Sequence, residues 1–347
     1  MKLGIVGLPQ SGKSTIFAAL TGARGEDSSR RGPRGDQKIA TVKVADERVD
    51  TLTKIYKPKK STYAQVEYLL PSEISGSPSK SDDLSWNQVR VCDALIHVVR
   101  NFRLPGGIEP DSEADFWRLE EEMILSDMVV VEKRIERLEA ESKKGKKPDK
   151  EEYTLLNSAR ELLDKGQPLR SDPALASAHA LKGFTFLSAK PELVVINNDD
   201  EDEATPEWKL MPENIETIVV RGRLEMDIAS MTKEEAEEFL DAYHIEESAL
   251  DRVIRSSYKL LNLISFFTVL GEEVRAWTIK AGSTALMAAG TVHTDMEKGF
   301  IRAEVLPFDE LIKHGSFHEA RHRGLVRLEG KEYIVKDGDI INFRFNI

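Results

Sequence analysis

The chain has 347 residues, 40% hydrophobic and 31% charged, with a formal net charge of −11. That length allows two or three domains with a substantial core, and the acidic balance argues against a broad nucleic-acid-coating surface without excluding a local basic patch. No apolar run approaches the roughly eighteen residues of a membrane span, no signal-peptide pattern opens the sequence, and a single cysteine rules out an internal disulfide framework. A monomeric protein of the reducing cytoplasm, without membrane contact, is expected.

Met1 to Val6 is an apolar run rich in branched residues and reads as a buried strand. Gly7-Leu8-Pro9-Gln10-Ser11-Gly12-Lys13-Ser14 then fits G-x-x-x-x-G-K-[ST], and a helix follows through Leu20. The two glycines let successive N–H groups converge on phosphate oxygens, and the helix dipole favours the same anion. Pro9, Gln10, Ser11, Gly12, Lys13, Ser14 and Thr15 are thus a candidate phosphate cradle. Lys13 would reach the terminal phosphates in the catalytic role, and the Ser14 hydroxyl would ligate Mg²⁺.

Gly22 to Gln37 reads equally as a mobile switch or as a surface loop. Strands are expected at Ile39–Val44 and Ala64–Leu70, with a helix at Glu47–Tyr56 between them. Pro71–Ser85 is a polar loop, and Ala94–Val99 is a buried strand on which His97 reads as a satisfied core residue. Cys92, in an apolar run, reads as a buried, inert thiol.

From about Asp115 to Ser188 the apolar spacing turns helical, broken by Lys143–Lys150. This predicts a helical hairpin inserted into an α/β domain, its basic tip a solvated turn or, alternatively, a polyanion contact. Strands return at Glu192–Ile196 and Thr217–Val220. The polar cluster after the first of them lies where open α/β sheets bind a base: Asn197 and Asp200 offer the donors and acceptors of a purine contact, and Gly222 a backbone N–H. Ser230–Ser257 is expected to be helical. Beyond Leu260, strands are expected at Phe266–Leu270, Arg275–Ile279, Gly290–Val292, Phe300–Val305, Leu325–Leu328, Tyr333–Val335 and Asp339–Phe345, with a helix near Pro307–His322. His314, His318 and His322 share one face of that helix, and with no carboxylate or cysteine to complete a metal site they read as solvated.

The chain as a whole resembles the YchF-type Obg-like ATPases, a branch of the translation-factor-related GTPases. Leu3–Phe17, Ala94–Phe102, Val131–Leu138, Gly271–Lys280, Ala288–Val305 and Gly330–Ile347 carry the resemblance. It implies an α/β phosphate-loop NTPase domain with a mainly parallel sheet (1–114 and 189–262), an inserted helical hairpin arm (115–188) and a C-terminal β-grasp, or TGS, domain (263–347). It also implies Mg²⁺ with ATP or GTP as cofactors, and the ribosome or RNA as partner.

Three departures from the family bear on activity. Leu70 stands where the family's Asp-x-x-Gly aspartate holds Mg²⁺ through water, with Glu67, Glu73, Asp82 and Asp83 as nearby substitutes. Thr41, the nearest counterpart of the switch threonine, falls on the following strand. The base motif reads Asn197-Asn198-Asp199-Asp200, and Arg221-Gly222-Arg223 replaces Ser-Ala-Lys. The sequence therefore supports two readings: a slow, Mg²⁺-dependent purine-nucleotide hydrolase acting as a switch, with ATP slightly favoured, or a non-hydrolysing scaffold that works through its β-grasp domain and arm.

Overall fold

The structure is a computed structural model that describes residues 1–22, 30–31, 37–72, 86–145, 147, 149–210, 215–243, 245, 247–269 and 272–346. The chain is an α/β protein that forms two compact units, one of Met1–Thr41 with Glu67–Val253, the other of Val42–Val66 with Ile254–Ile347. Residues 42–66, expected in the phosphate-loop domain, thus group with the C-terminal segment.

The strands in chain order are β1 (Lys2–Val6), β2 (Arg30–Arg31), β3 (Lys38–Lys43), β4 (Lys60–Thr62), β5 (Gln65–Leu70), β6 (Ala94–Asn101), β7 (Glu192–Asn198), β8 (Glu216–Val220), β9 (Leu263–Thr268), β10 (Glu273–Lys280), β11 (Phe300–Pro307), β12 (Arg327–Glu329) and β13 (Asp339–Phe345). Among the described residues the first sheet runs β2-β3-β5-β1-β6-β7-β8, with β5, β1, β6, β7 and β8 parallel. Every residue of β7 is buried and β6 is buried over Ala94–Val99, as a parallel sheet covered on both faces requires. That is why these strands read as unbroken apolar runs.

The inserted hairpin pairs helix Ser112–Lys143 with helix Lys150–Asp164. Asp111 and Asp149 cap their first turns through Ala114 N and through Glu151 and Glu152 N. Ile124, Val131, Ile135 and Leu138 pack with Leu156, Ala159 and Leu163 along the seam. Arg134 clamps both oxygens of Glu152, at 2.8 and 2.9 Å. The predicted third helix, Pro173–Phe184, is a single α turn at Pro173–Ala176 followed by a 3₁₀ segment at His179–Phe184.

The root of the hairpin is held by charge. Asp127, fully buried, accepts from Leu187 N (3.0 Å), Ser188 N (2.7 Å), Ser188 Oγ (2.8 Å) and Arg90 Nη1 (2.9 Å). Arg170 grips both oxygens of Glu120 at 3.0 Å and also bonds Glu192, whose other oxygen meets His97 Nδ1 at 2.7 Å. His97, stacked on Phe116, is the satisfied core histidine expected.

In the second unit the sheet order is β12-β11-β13-β9-β10-β4. Helix Ala285–Val292 buries Ala285, Ala288 and Ala289 in the same core cluster as Phe266, Val305 and Ile341. Gly290–Val292, expected as a strand, closes that helix: Thr284 caps an alanine-rich run, and the run continues through them. Tyr333–Val335 forms an isolated bridge rather than a strand, and Gly315, at φ 82°, splits the expected Pro307–His322 helix into Phe308–His314 and Phe317–His322. β4, unforeseen, pairs in parallel with β10.

The two glutamates on Arg170 are expected to respond differently to neutralisation. Burial disfavours the Glu192 charge, yet Arg170 and His97 hold its pKa down to about 2, whereas burial and the Glu192 charge push Glu120 well above the usual carboxylate range. Glu192→Gln should cost about 1–3 kcal/mol at pH 7 and more than Glu120→Gln, because it removes the carboxylate that Arg170 and His97 hold ionised and leaves Arg170 only Glu120 as its anion. A raised folded-state pKa gives stability that is present below the ordinary glutamate pKa and lost as pH rises. Glu120→Gln should therefore gain on the wild type as pH rises from the ordinary glutamate range, as read by urea unfolding.

Candidate phosphate-binding site

The loop after β1 is shaped by three residues with positive φ: Gly7 at 155°, Gln10 at 65° and Gly12 at 92°. A Cβ at Gly7 would lie 2.4 Å from Val98 O and 2.6 Å from Ser11 Oγ, and one at Gly12 would lie 2.1 Å from Asn197 Nδ2. Both glycines are therefore needed for close approach as well as for φ. Gln10 adopts the left-handed region with a side chain and is exposed, as are Pro9 and Ser14. Ser11 Oγ is buried with no hydrogen-bond partner among the described residues.

Lys13 opens helix Lys13–Gly22 and is nearly buried; its Nζ donates to the carbonyls of Gly7 (2.9 Å) and Leu8 (2.8 Å). The ammonium therefore lies back across the loop, over the peptides whose N–H groups would meet an anion. Thr15, half-buried, follows Ser14 in the first turn. A narrow nest closed by a lysine at a helix N-terminus fits a polyphosphate.

The predicted base residues are brought to the same end of the sheet, but their side chains are used differently. Asn197 is buried, and its amide bridges two segments: Nδ2 donates to Ser11 O at 3.1 Å, and Oδ1 accepts from Gly222 N at 2.9 Å. Both of its polar atoms are thus engaged inside the protein, and Asn197 ties the loop to the start of helix Gly222–Ser230. Gly222 is required there, because a Cβ would come within 2.6 Å of Asn197 Oδ1 and 2.9 Å of Ile16 Cδ1. Asp200 is exposed, and its Oδ1 accepts from Leu224 N at 3.1 Å in the first turn of helix Gly222–Ser230. Asn198 turns inward, donating to Asp202 O (3.0 Å) and Ala204 O (2.8 Å) and accepting from Asn101 (2.9 Å), so it does not take the place of a lysine stacked on a base.

Sequence reasoning did not single out Phe102. Its ring edge lies 3.8 Å from where a Gly12 Cβ would stand, and the Arg100 guanidinium fixes its carbonyl at 2.9 Å. The available signal was its place at the end of the β6 run, on the loop side of the sheet.

The metal side of the site is sparse. Leu70 ends β5 as a buried apolar residue and offers no ligand. Glu67 pairs with Lys2 at 3.0 Å, at the start of β1 and hence about 15 Å of strand from the loop, which removes it as a substitute. Glu73, Asp82, Asp83 and most of the two polar loops lie outside the described residues. Thr41 lies on β3, as expected. Ser14 is then the single metal-ligand candidate among the described residues at the loop, and Mg²⁺ would draw most of its six oxygens from phosphate and water. Elsewhere, His97, Glu120 and Glu192 approach one another closely enough for a metal, but Arg170 already supplies their cation. His318 and His322 hydrogen-bond each other at 3.0 Å, while His314, beyond the Gly315 break, meets Arg323.

Known proteins are similar to this chain along its whole length. The Ribosome-binding ATPase YchF of Bacillus subtilis (strain 168) is 38% identical over 366 residues, covering 99% of both chains. That of Escherichia coli O157:H7 is 37% identical over 363 residues, covering 100% of this chain and 99% of its own. The solved Schizosaccharomyces pombe YchF GTPase superposes with a TM-score of 0.85 at 28% identity, covering 99% of this chain and 97% of its own. The family model YchF-GTPase_C, described as a protein of unknown function (DUF933), matches residues 263–346.

Asn197→Ala would leave Ser11 O and Gly222 N unpaired in a buried setting. It is expected to cost about 2–4 kcal/mol in chemical denaturation and to weaken polyphosphate binding at least tenfold, because the loop loses its lateral tie. Unchanged affinity for inorganic triphosphate would show that the loop holds its shape alone.

Proposed function

The chain belongs to the YchF family, and on that premise we propose that it binds a purine nucleoside triphosphate at the Gly7–Thr15 loop, hydrolyses it slowly and acts as a nucleotide-dependent switch on the ribosome. The observation that carries the reading is the loop itself: two glycines that admit no side chain, Lys13 laid across the nest, and Asn197 fixing the loop to the far strand. Lys13 neutralises the terminal phosphates, the loop N–H groups and the helix dipole orient them, and Ser14 offers its hydroxyl to Mg²⁺. When bound, Mg²⁺ supplies charge neutralisation on the transferring phosphoryl group. Phe102 closes one flank of the loop, and Asp200 and Gly222 line the side toward the base. With Asn198 turned inward, a guanine-favouring contact is missing, which tilts the preference to ATP.

The partner is proposed from the relatives' names, and the exposed lysines at the tip of the hairpin (Lys143, Lys144, Lys147 and Lys150) supply a phosphate-directed contact. The C-terminal unit is proposed to be the TGS domain. A monomeric protein acting in the cytoplasm is consistent with this assignment, and no helix among the described residues is long and apolar enough to cross a membrane.

A second reading is favoured by Leu70. A buried apolar side chain at the metal-holding position suits a chain that binds nucleotide without turning it over and works as a scaffold. Titration calorimetry of ATP and GTP, each with Mg²⁺ and with EDTA, tests both. Mg²⁺-dependent binding that Lys13→Ala weakens by about a hundredfold or more, with slow phosphate release lost in the same variant, is expected. Binding in Lys13→Ala equal to wild type would overturn the site. Tight binding with no phosphate release at saturation would leave the scaffold.

A further inference from the structure

In the second unit, helix Glu47–Tyr56, helix Phe317–His322 and β13 enclose a cleft of about 230 Å³ that plays no part in the reading above. Val269, Ile340 and Ile341 give it an apolar lining, and the Phe317 ring lies beneath the Arg321 guanidinium at 5.6 Å. Its polar groups are half-used. The Tyr56 hydroxyl accepts from Phe317 N at 2.9 Å, which leaves its own proton to donate. Burial raises the Tyr56 pKa and keeps that proton in place. Asn342 Nδ2 donates to Glu304 at 2.8 Å, which leaves the side-chain carbonyl as an acceptor. Neither the Tyr56 proton nor the Asn342 carbonyl has a partner among the described residues.

Charge at the cleft is unbalanced as well. Glu304 is buried, and both Arg321 and Arg344 bond to it while remaining about half exposed. Because Arg344 shares Glu304, Arg321, which lines the cleft, is only half-neutralised there, and an anion would be held by the N–H groups its pairing does not consume.

We propose that this cleft binds an unpaired nucleobase carrying a phosphate. An apolar floor with an aromatic wall takes the ring, a donor and an acceptor meet the base edge, and Arg321 takes the phosphate. An aliphatic side chain would fill the floor but leave the Tyr56 proton and the Asn342 carbonyl buried without partners. The same chemistry is offered by a free nucleoside monophosphate and by the splayed end of a single-stranded RNA.

The test uses the full-length chain carrying Lys13→Ala, so that the phosphate loop does not compete. AMP, GMP, CMP and UMP, and then a short single-stranded RNA, are titrated against it by calorimetry. Tyr56→Phe and Asn342→Ala are compared in the same background, with thermal melting as the check on folding. Saturable one-to-one binding, weakened about tenfold by each substitution, is expected. Binding of a monophosphate identifies a free nucleotide as the ligand, and binding of the RNA alone identifies a base within a strand. No binding of any probe, or binding indifferent to both substitutions, would overturn the proposal, and neither result bears on the phosphate loop.

Discussion

One side-chain amide fixes the geometry on which nucleotide recognition depends. Asn197 stands at the end of β7 and reaches Ser11, 186 residues earlier, with its nitrogen, and Gly222, 25 residues later, with its oxygen. The contacts are so close that glycine is required on two sides, at 12 and at 222. A sharp nest with a left-handed glutamine in it costs conformational energy. The strain is tolerable because the loop is tied laterally to a fully buried parallel strand as well as through its own β1 and helix. Helix Gly222–Ser230 starts at the same bond and packs beside helix Lys13–Gly22, where Ala229 faces Gly22. The phosphate cradle is therefore a property of three segments rather than of eight residues.

That distribution sets what could be read from sequence. The loop motif and the buried strands were legible because their signals are local: glycine spacing, a lysine at a helix start, and apolar runs covered on both faces. The position of Asn197 was legible too, as a polar residue ending a buried strand. Its role was not, because a free amide and a committed one look alike until their partners are placed. β4 was missed for a similar reason: Lys60-Ser61-Thr62 has no apolar alternation, and only pairing with β10, more than two hundred residues on, makes it a strand. Gly290–Val292 failed in the opposite direction, where a short β-branched signal yielded to the capped alanine run before it. Phe102 carried a family resemblance but no local sign that its ring would flank the loop.

The hairpin root follows another logic. Apolar residues of similar volume would anchor two helices about as firmly as the buried ions Asp127, Arg90, Glu120, Arg170 and Glu192 do. What the charges add is direction. Asp127 satisfies four donors, and Arg170 joins Glu120 on the arm to Glu192 on the sheet, so directional, charge-assisted bonds tie the arm to the sheet. A projecting helical pair needs such a root if a contact at its tip is to be felt at the sheet that carries the loop.

Grip on phosphate and placement of metal are separable demands, and this chain meets them unequally. Lys13 bonds to Gly7 and Leu8, and Asn197 to Ser11 and Gly222, so these ties run within the loop and to the start of helix Gly222–Ser230 rather than to Leu70. On the proposed reading, Leu70 in place of a metal-holding carboxylate would thin a magnesium shell and leave the cradle intact, because the leucine is buried at the end of β5. Electrostatic stabilisation of a phosphoryl transfer depends on fixed charge at the moment of transfer, whereas binding needs only the nest and the lysine. On the proposed reading, a protein built this way would retain its nucleotide more readily than it consumes it, and the bound state would carry the signal for as long as the nucleotide stays.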